Sequence, residues 1–181
     1  MPKTDRRILK SQEAMKTAVI ELMTEKSFDE ITLQDISDRA NISRGTIYLH
    51  YSDKFDLLNK LIAEHIQKLR DICRSVADLD FRDAILPWFE YLEQNYLFFS
   101  TMLASKGATY FRTQFVEFLS EEFENEVKQS GEKNASVGED ILLQFIVTSY
   151  VGMTEWWIIN NMPYSSEVMA DQVGLLLDHN L

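Results

Sequence analysis

The chain contains very few residues that interrupt regular backbone structure, with 6 glycines and 3 prolines among 181 residues. Because these residue types weaken or end helices more than any others, their scarcity leaves long uninterrupted segments. Apolar residues recur in those segments every three to four positions, which is the spacing of one face of an α-helix. No segment alternates apolar and polar residues as a half-buried strand does. The sequence therefore predicts an all-α fold.

Four helices are expected in the first part of the chain. Two long helices flank two short ones, at about residues 5–26, 32–40, 43–51 and 53–73. Thr32 and Asp35 form a variant of the capping box at the start of the second helix. Asn41 follows that helix where a tight ending needs a left-handed residue, and Ser43 can cap the third helix. The apolar residues expected to anchor this pair of helices are Ile42 and Ile47.

The remainder of the chain is also expected to be helical. Five further helices are predicted at about residues 81–95, 96–105, 108–129, 140–161 and 166–177. Pro87 is expected to break or kink the first of them, because proline removes a helical hydrogen bond. The polar segment GEKNASVG, residues 131–138, is expected to form a loop.

Charge is distributed unevenly along the chain. The net charge is -11, yet residues 1–54 hold 9 Lys and Arg against 9 Asp and Glu. Residues 55–181 hold 9 basic and 20 acidic residues, so the whole acidic excess lies in that part. The overall acidity therefore does not exclude a nucleic-acid ligand at the N-terminal end.

Three features predict a cytoplasmic protein without a membrane span. Cys73 is the only cysteine, which rules out an internal disulfide and fits a reducing compartment. The N-terminal segment has no apolar core of a secretory signal. Residues 141–159 are nearly all apolar, but they contain Gln144 and Glu155 and have no flanking Lys or Arg. We expect this segment to be a helix buried in protein, as in a subunit interface.

The two short helices and the three-residue turn between them predict a helix-turn-helix. In that motif the first helix supports the second, which enters the major groove of double-stranded DNA. Arg44 can donate two hydrogen bonds to guanine, and Gly45 allows close approach of the backbone. Thr46 can contact a thymine methyl group or a phosphate, and Tyr48 and His50 suit phosphate oxygens.

Lys54 is a further candidate contact. It lies in the first turn of the fourth predicted helix, where a cation is unfavourable for the helix dipole. We therefore expect an external anion, such as a DNA phosphate, to compensate its charge. The basic residues near the N-terminus agree with this interpretation: Lys3, Arg6, Arg7 and Lys10.

The segment LQDISDRANISRGTIYLHYSDKFDLL, residues 33–58, resembles the DNA-binding region of TetR-family transcriptional regulators. The likeness is dense over residues 18–58 and is carried by Ile42, Thr46, Ile47, Tyr48, His50, Tyr51 and Lys54. It implies backbone contacts from Thr46, Tyr48, His50 and Lys54. It also implies base reading by Ser43, Arg44 and Gly45, with Gln34 as a further contact. The family usually has glycine where this chain has Asn41, which tolerates the same conformation.

The resemblance also implies an all-helical C-terminal domain that dimerises and holds a pocket for a small-molecule inducer. We expect a DNA-binding domain at residues 1–54, linked through helix 53–73 to a regulatory domain at 55–181. The homodimer is expected to form through helices 140–161 and 166–177. Aromatic and Met side chains could line the pocket or simply form the core: Phe98, Phe99, Met102, Tyr110, Phe111, Phe115 and Trp156.

Together these patterns predict a ligand-responsive repressor that binds a palindromic operator as a dimer. Two alternatives stay open: a transcriptional activator of the same family, and a helical small-molecule-binding or interaction module with little DNA binding. The histidines lie far apart, at His50, His65 and His179, and no glycine-rich phosphate loop or metal-ligand spacing is present. We therefore expect no enzyme activity, no cofactor and no metal.

Overall fold

The computed structural model describes residues 3–77, 79–104, 109–130, 134 and 136–181. Those residues form α-helices and one 3-10 turn, without strands, which confirms the predicted all-α fold. The helices are α1 Lys3–Glu25, α2 Leu33–Arg39, α3 Arg44–Tyr48, α4 Lys54–Ser75, α5 Phe81–Gln94, α6 Tyr96–Ala104, α7 Thr109–Gln129, α8 Glu139–Ile159 and α9 Ser166–Asn180, and the 3-10 turn is Phe28–Glu30.

The described residues divide into two compact units, and the division falls inside α4, between His65 and Ile66. The prediction from sequence placed a boundary at residue 54, at the start of this helix. The first half of α4 belongs to the N-terminal unit, where its apolar residues Leu57 and Ile62 are buried. One helix therefore contributes to both units.

The N-terminal unit is built on a small apolar core. Two longer helices, α1 and the first half of α4, share this core with the two short ones, α2 and α3, through buried side chains that recur at helical spacing. Those side chains are Met15, Ala18, Val19, Leu22, Ile36, Ile47, Leu57, Leu61 and Ile62, with Phe28 and Ile31 from the segment between α1 and α2. The basic residues near the N-terminus lie within α1, which begins at Lys3.

The C-terminal unit pairs α5 with α9 and α7 with α8, and α6 packs against α7 and α8. Its α5 is continuous from Phe81 to Gln94, so of the expected break or kink at Pro87 the break does not occur. Pro87 has no N–H to donate to the carbonyl oxygen of Asp83, four residues earlier. Asp83 is exposed, so water can satisfy that carbonyl and the helix continues.

Within the described ranges no helix is both long enough and apolar enough to cross a membrane. The apolar α8 comes nearest in sequence, and it lies against α7 with one of its faces buried.

The imidazole of His65 should make the stability of the chain depend on pH. Burial, and then the positive charge of Lys16, lower the pKa of His65 from 6.5 to about 4. Between these two values the unfolded chain binds a proton that the folded chain does not. We therefore expect the free energy of unfolding to fall as the pH is lowered through this window, by up to about 1.4 kcal/mol per pH unit.

Urea unfolding at several pH values checks this expectation. In His65→Gln the side chain at position 65 cannot bind a proton. The variant should therefore lose the part of the pH dependence that comes from His65 and keep the part that comes from the acidic side chains. Equal pH slopes for the two proteins would show that His65 does not carry the effect.

Candidate nucleic-acid interface

The start of α2 is held by a reciprocal set of hydrogen bonds. The backbone N–H of Asp35 donates to Thr32 Oγ1 at 3.1 Å, and the backbone N–H of Thr32 donates to Asp35 Oδ2 at 2.8 Å. Lys26 Nζ also donates to Asp35 Oδ2, at 2.9 Å. The hydrogen bond from Lys26, and then those from Thr32, hold the pKa of Asp35 well below its usual range. The predicted capping box is confirmed.

The turn after α2 depends on a left-handed residue. Asn41 has a φ of 51°, as its position predicted. Its N–H donates to the carbonyl of Asp38 at 3.2 Å, and the N–H of Ile42 donates to the carbonyl of Ser37 at 3.0 Å. These two bonds form a Schellman motif, which satisfies the last carbonyls of the helix. The buried hydroxyl of Ser37 donates in turn to the carbonyl of Ile42 at 2.6 Å.

The start of α3 is fixed by Ser43. The N–H of Thr46 donates to Ser43 Oγ at 3.1 Å, and the two hydroxyls lie 2.9 Å apart. The helix is only five residues long, shorter than the predicted 43–51. Ile47 anchors it, since that side chain is fully buried.

The outward face of α3 carries large side chains. Arg44, Gly45 and Tyr48 are exposed, and the Arg44 guanidinium donates a long hydrogen bond of 3.4 Å to the Tyr48 hydroxyl. Leu49 follows them and is 80% exposed. The predicted contact set left Leu49 out, although its position directly after Tyr48 was the signal that could have included it. This face can offer hydrogen-bond donors and apolar contact to a groove.

The other predicted contacts lie around this face with local partners. Gln34 is exposed, and its amide donates to Asp38 Oδ1 at 2.8 Å. Thr46 is half-buried beside Ser43. His50 is half-buried, and its carbonyl accepts a hydrogen bond of 3.2 Å from Lys60.

Lys54, the remaining predicted contact, has hydrogen-bond partners within the chain. Its Nζ donates to the backbone carbonyl oxygens of Phe28, Asp29 and Ile31, at 2.9, 2.8 and 2.8 Å. An ammonium group has three N–H donors, so all three are used inside the protein. The partial negative charges of these carbonyl oxygens compensate the Lys54 ammonium group, a role that we expected from an external phosphate. Lys54 therefore fastens the start of α4 to the segment around the 3-10 turn.

Most of the side chains expected either to line an inducer pocket or to form the core lie in the core. Five of the seven, namely Phe98, Phe99, Met102, Phe111 and Phe115, are buried in a closed core. Their rings contact one another, as in the pair Phe111 and Phe115 with centroids 5.4 Å apart. Tyr110 and Trp156 are instead about half exposed. A cavity of about 450 Å³ in the same unit is lined by other side chains.

Glu155 is paired within the chain. Its Oε1 accepts a hydrogen bond of 2.8 Å from Nε of Arg112 on α7. This ion pair accounts for a carboxylate in the apolar α8, because a partly buried charge needs a partner.

The left-handed turn leads to a prediction about Asn41. Asn41→Ala should lower the free energy of unfolding by about 1 kcal/mol, because a Cβ disfavours this conformation and alanine lacks the local hydrogen bonding of asparagine. Asn41→Gly should leave stability nearly unchanged. Urea unfolding of both variants measures the difference, and equal stabilities would contradict the role of the backbone conformation.

The carbonyl contacts of Lys54 lead to a second prediction. Lys54→Met should lower the free energy of unfolding by about 2 kcal/mol, because it removes three charge-assisted hydrogen bonds and takes the Lys54 partner from the carbonyl of Ile31, where the contact is partly buried. Lys60→Met serves as the control, since the Lys60 ammonium is bonded to one carbonyl and to the exposed pair with Asp56. The salt dependence of DNA binding should stay unchanged in Lys54→Met. If the slope of log affinity against log salt concentration fell by about 0.9, the value for one lost phosphate contact, Lys54 would be shown to contact DNA.

Comparison with protein families matches both parts of the chain. Residues 17–61 match the family described as "Bacterial regulatory proteins, tetR family". Residues 79–179 match the family described as "Transcriptional regulator C-terminal region". The first match covers α2, α3 and the turn between them, and the second covers most of the C-terminal unit.

Individual proteins are similar at lower identity. The chain is 26% identical over 120 residues to the uncharacterized HTH-type transcriptional regulator YxbF of Bacillus subtilis (strain 168), a match over 62% of this chain but 30% of that protein. It is 25% identical to the probable acrEF/envCD operon repressor of Escherichia coli (strain K12), over 94% of this chain and 84% of that protein.

A solved structure of a TetR transcriptional regulator from Streptococcus agalactiae 2603V is 26% identical and superposes with a TM-score of 0.72, over 96% of this chain and 97% of that one. The capped helix-turn-helix, the helical C-terminal unit and these matches agree. The chain belongs to the TetR family, and it is a DNA-binding transcriptional regulator and not an enzyme.

Proposed function

We propose that this chain is a ligand-responsive repressor that binds a palindromic operator as a homodimer. The observation that carries the proposal is the outward face of α3, where exposed Arg44, Tyr48 and Leu49 stand on a helix fixed by caps at its start and by Ile47 beneath. Such a regulator would act in the cytoplasm, the compartment that contains bacterial operator DNA.

The first step of the mechanism is entry of α3 into the major groove. Arg44 at its first position would donate to the O6 and N7 acceptors of a guanine. Leu49 would contact a thymine methyl group, the apolar feature of that groove. Ser43 and Gly45 would allow close approach, and the remaining contacts would go to the DNA backbone from Gln34, Thr46, Tyr48 and His50.

The second step is dimerisation through α8 and α9. One face of α8 leaves large apolar side chains uncovered, and we call this face the α8 stripe. It consists of Ile141, Phe145, Thr148, Gly152, Trp156 and Ile159, all exposed and spaced by three or four residues. Exposed Val168 and Leu176 extend the apolar surface onto α9. A contiguous apolar patch of this kind is typical of a protein interface.

Gly152 adds an independent argument for a partner helix. Glycine in a helix interior costs roughly 1 kcal/mol relative to alanine. A Cβ at Gly152 would meet no atom within 4 Å in this chain, so packing within the chain does not require a glycine here. A second subunit that approaches the α8 stripe closely would require it.

The repressor assignment rests on the similarity, at 25% identity, to the probable acrEF/envCD operon repressor of Escherichia coli. Repression by a dimer needs only occupancy of the operator, which the α3 face and the α8 stripe can together provide. An inducer would act by favouring a state in which the two recognition helices no longer match the half-sites.

DNA binding can be tested with an operator selected from a random duplex pool. The logarithm of affinity should fall linearly with the logarithm of salt concentration, with a slope of several units. Arg44→Ala should weaken binding about tenfold and relax the preference at one base position in each half-site. Arg74→Ala removes a positive charge far from α3 in the sequence. It should change neither the affinity for the operator nor the base preference. A protein that ignores every duplex at low salt would refute the proposal.

Dimerisation can be tested at Gly152. Gly152→Leu should shift the chain from dimer to monomer in sedimentation equilibrium, because its side chain would occupy the space of the partner helix. Gly152→Ala should raise helix stability with a smaller effect on dimerisation. Asn59→Leu, which places a leucine on the exposed surface of α4, is the control. A Gly152→Leu protein as dimeric as the parent would exclude the α8 stripe as the interface.

A further inference from the structure

The first turns of α1 carry a cluster of positive charge that is separate from the recognition helix. Arg6, Arg7 and Lys10 lie close together on this helix, and all three are exposed. Residues 6–10 contain no acidic residue, although the chain as a whole has a net charge of -11. We call these three side chains the basic face of α1.

The basic face differs from most other cations of the N-terminal unit because its charges have no carboxylate partner. The others are bonded to carboxylates or, for one of them, to backbone carbonyls: Lys16, Lys26, Arg39, Lys54 and Lys60. Arg6, Arg7 and Lys10 form no ion pair with any residue that the structure describes. Their charge is therefore available to an external anion.

The basic face lies on the side of α1 that contacts the helix-turn-helix. Lys10 precedes Glu21 by about three helical turns. Arg7 precedes Glu25 by about five turns, so all four residues share one side of the helix. The two glutamates are paired with Arg39, the last residue of α2. The basic face therefore shares its side of α1 with the end of α2, which leads through the left-handed turn into α3.

The recognition segment carries little positive charge for DNA binding. A protein gains a steep salt dependence by neutralising phosphates with lysine and arginine. The α3 helix supplies Arg44, which the proposed mechanism places on a guanine. Amide and hydroxyl groups, such as those of Gln34 and Tyr48, can bond to phosphates but neutralise none of them. A salt slope of several units therefore needs cations from elsewhere in the chain.

The apolar residues of α1 favour DNA over an anionic membrane as the partner. A helix that lies in a membrane surface buries an apolar face in the lipid. The apolar face of α1 is already used inside the protein, since Met15, Val19 and Leu22 are buried. Ile8 and Leu9 are 40% and 47% exposed, and two side chains provide only a small apolar surface. Charge is thus the main feature that this end of α1 offers.

We propose that the basic face of α1 binds phosphates of the operator that flank the major groove entered by α3. Arg6, Arg7 and Lys10 hold each subunit on the duplex by charge and read no bases, whereas Arg44 reads the sequence. This inference rests on the proposed function, because it gives the same repressor a second contact surface for the same DNA.

The test compares two triple variants of the full chain with the same change in net charge. Arg6→Gln/Arg7→Gln/Lys10→Gln removes the basic face, and it should fold normally because the three side chains are exposed and unpaired. Lys68→Gln/Arg74→Gln/Lys128→Gln removes three exposed cations of the C-terminal unit. Each variant and the parent chain are titrated with a selected operator and with an unrelated duplex at several salt concentrations.

The basic-face variant should lower the slope of log affinity against log salt concentration by at least about 1.8. This value is about 0.9 for one lost phosphate contact in each of two subunits. Binding to the operator and to the unrelated duplex should weaken by the same factor, at least about tenfold, so the base preference stays unchanged. The C-terminal variant should bind like the parent. Equal slopes for the two variants, or an altered base preference in the basic-face variant, would overturn the proposal.

Vesicles of phosphatidylglycerol and phosphatidylcholine test a membrane as the partner. The parent chain should not sediment with them at a salt concentration at which it binds the operator. If it does so, and the basic-face variant loses this binding but keeps the parent's slope with DNA, the basic face belongs to a membrane site and the proposal is wrong.

The DNA binding of the parent chain separates this inference from the proposed function. If the parent binds its operator and the basic-face variant has the same slope, the chain remains a repressor and only the role of the basic face is lost. If the parent ignores every duplex at low salt, the proposed function fails and this inference fails with it.

Discussion

The recognition helix is too short to be stable alone, and the rest of the N-terminal unit follows from that constraint. Isolated helices of fewer than about 12 residues are marginal in water, and α3 has five. Its position therefore depends on tertiary contacts and caps. The Schellman turn at Asn41 sets the direction of the chain, Ser43 caps the first turn, and Ile47 is fully buried. The exposed side chains of α3 are therefore positioned by the turn at Asn41, the cap at Ser43 and the buried Ile47.

The charge of Lys54 helps to stabilise the fold of the N-terminal unit. A lysine at the start of a helix is unfavourable for the helix dipole, so its presence there needs a compensating partner. The partner is a set of three backbone carbonyls around the 3-10 turn, which lies more than twenty residues earlier in the chain. The position of Lys54 predicted correctly that its charge needs a compensating partner. The local sequence could not show that this partner lies within the chain.

Features governed by neighbouring residues were predictable from sequence. The capping box at Thr32, the left-handed turn at Asn41 and the cap at Ser43 each depend on residues within about five positions, and the structure has all three. The cavity was not predictable, because its walls combine side chains from five helices. Helical periodicity places an aromatic residue on the inner face of a helix, but it does not tell a packed core from the wall of a cavity. Phe98, Phe111 and Phe115 were therefore candidates for a pocket, whereas Trp88, which was not among the candidates, belongs to the cavity lining.

The exposed and the buried residues of the α3 segment have different roles, and this difference has an evolutionary consequence. The residues proposed to contact DNA, Arg44, Tyr48 and Leu49, are all exposed, whereas the anchor Ile47 is buried among them. Substitutions at the exposed positions change no core contact, so their effect on folding is small. Selection can therefore exchange the reading residues one at a time and move the protein to a new operator, while the helix that carries them stays in place.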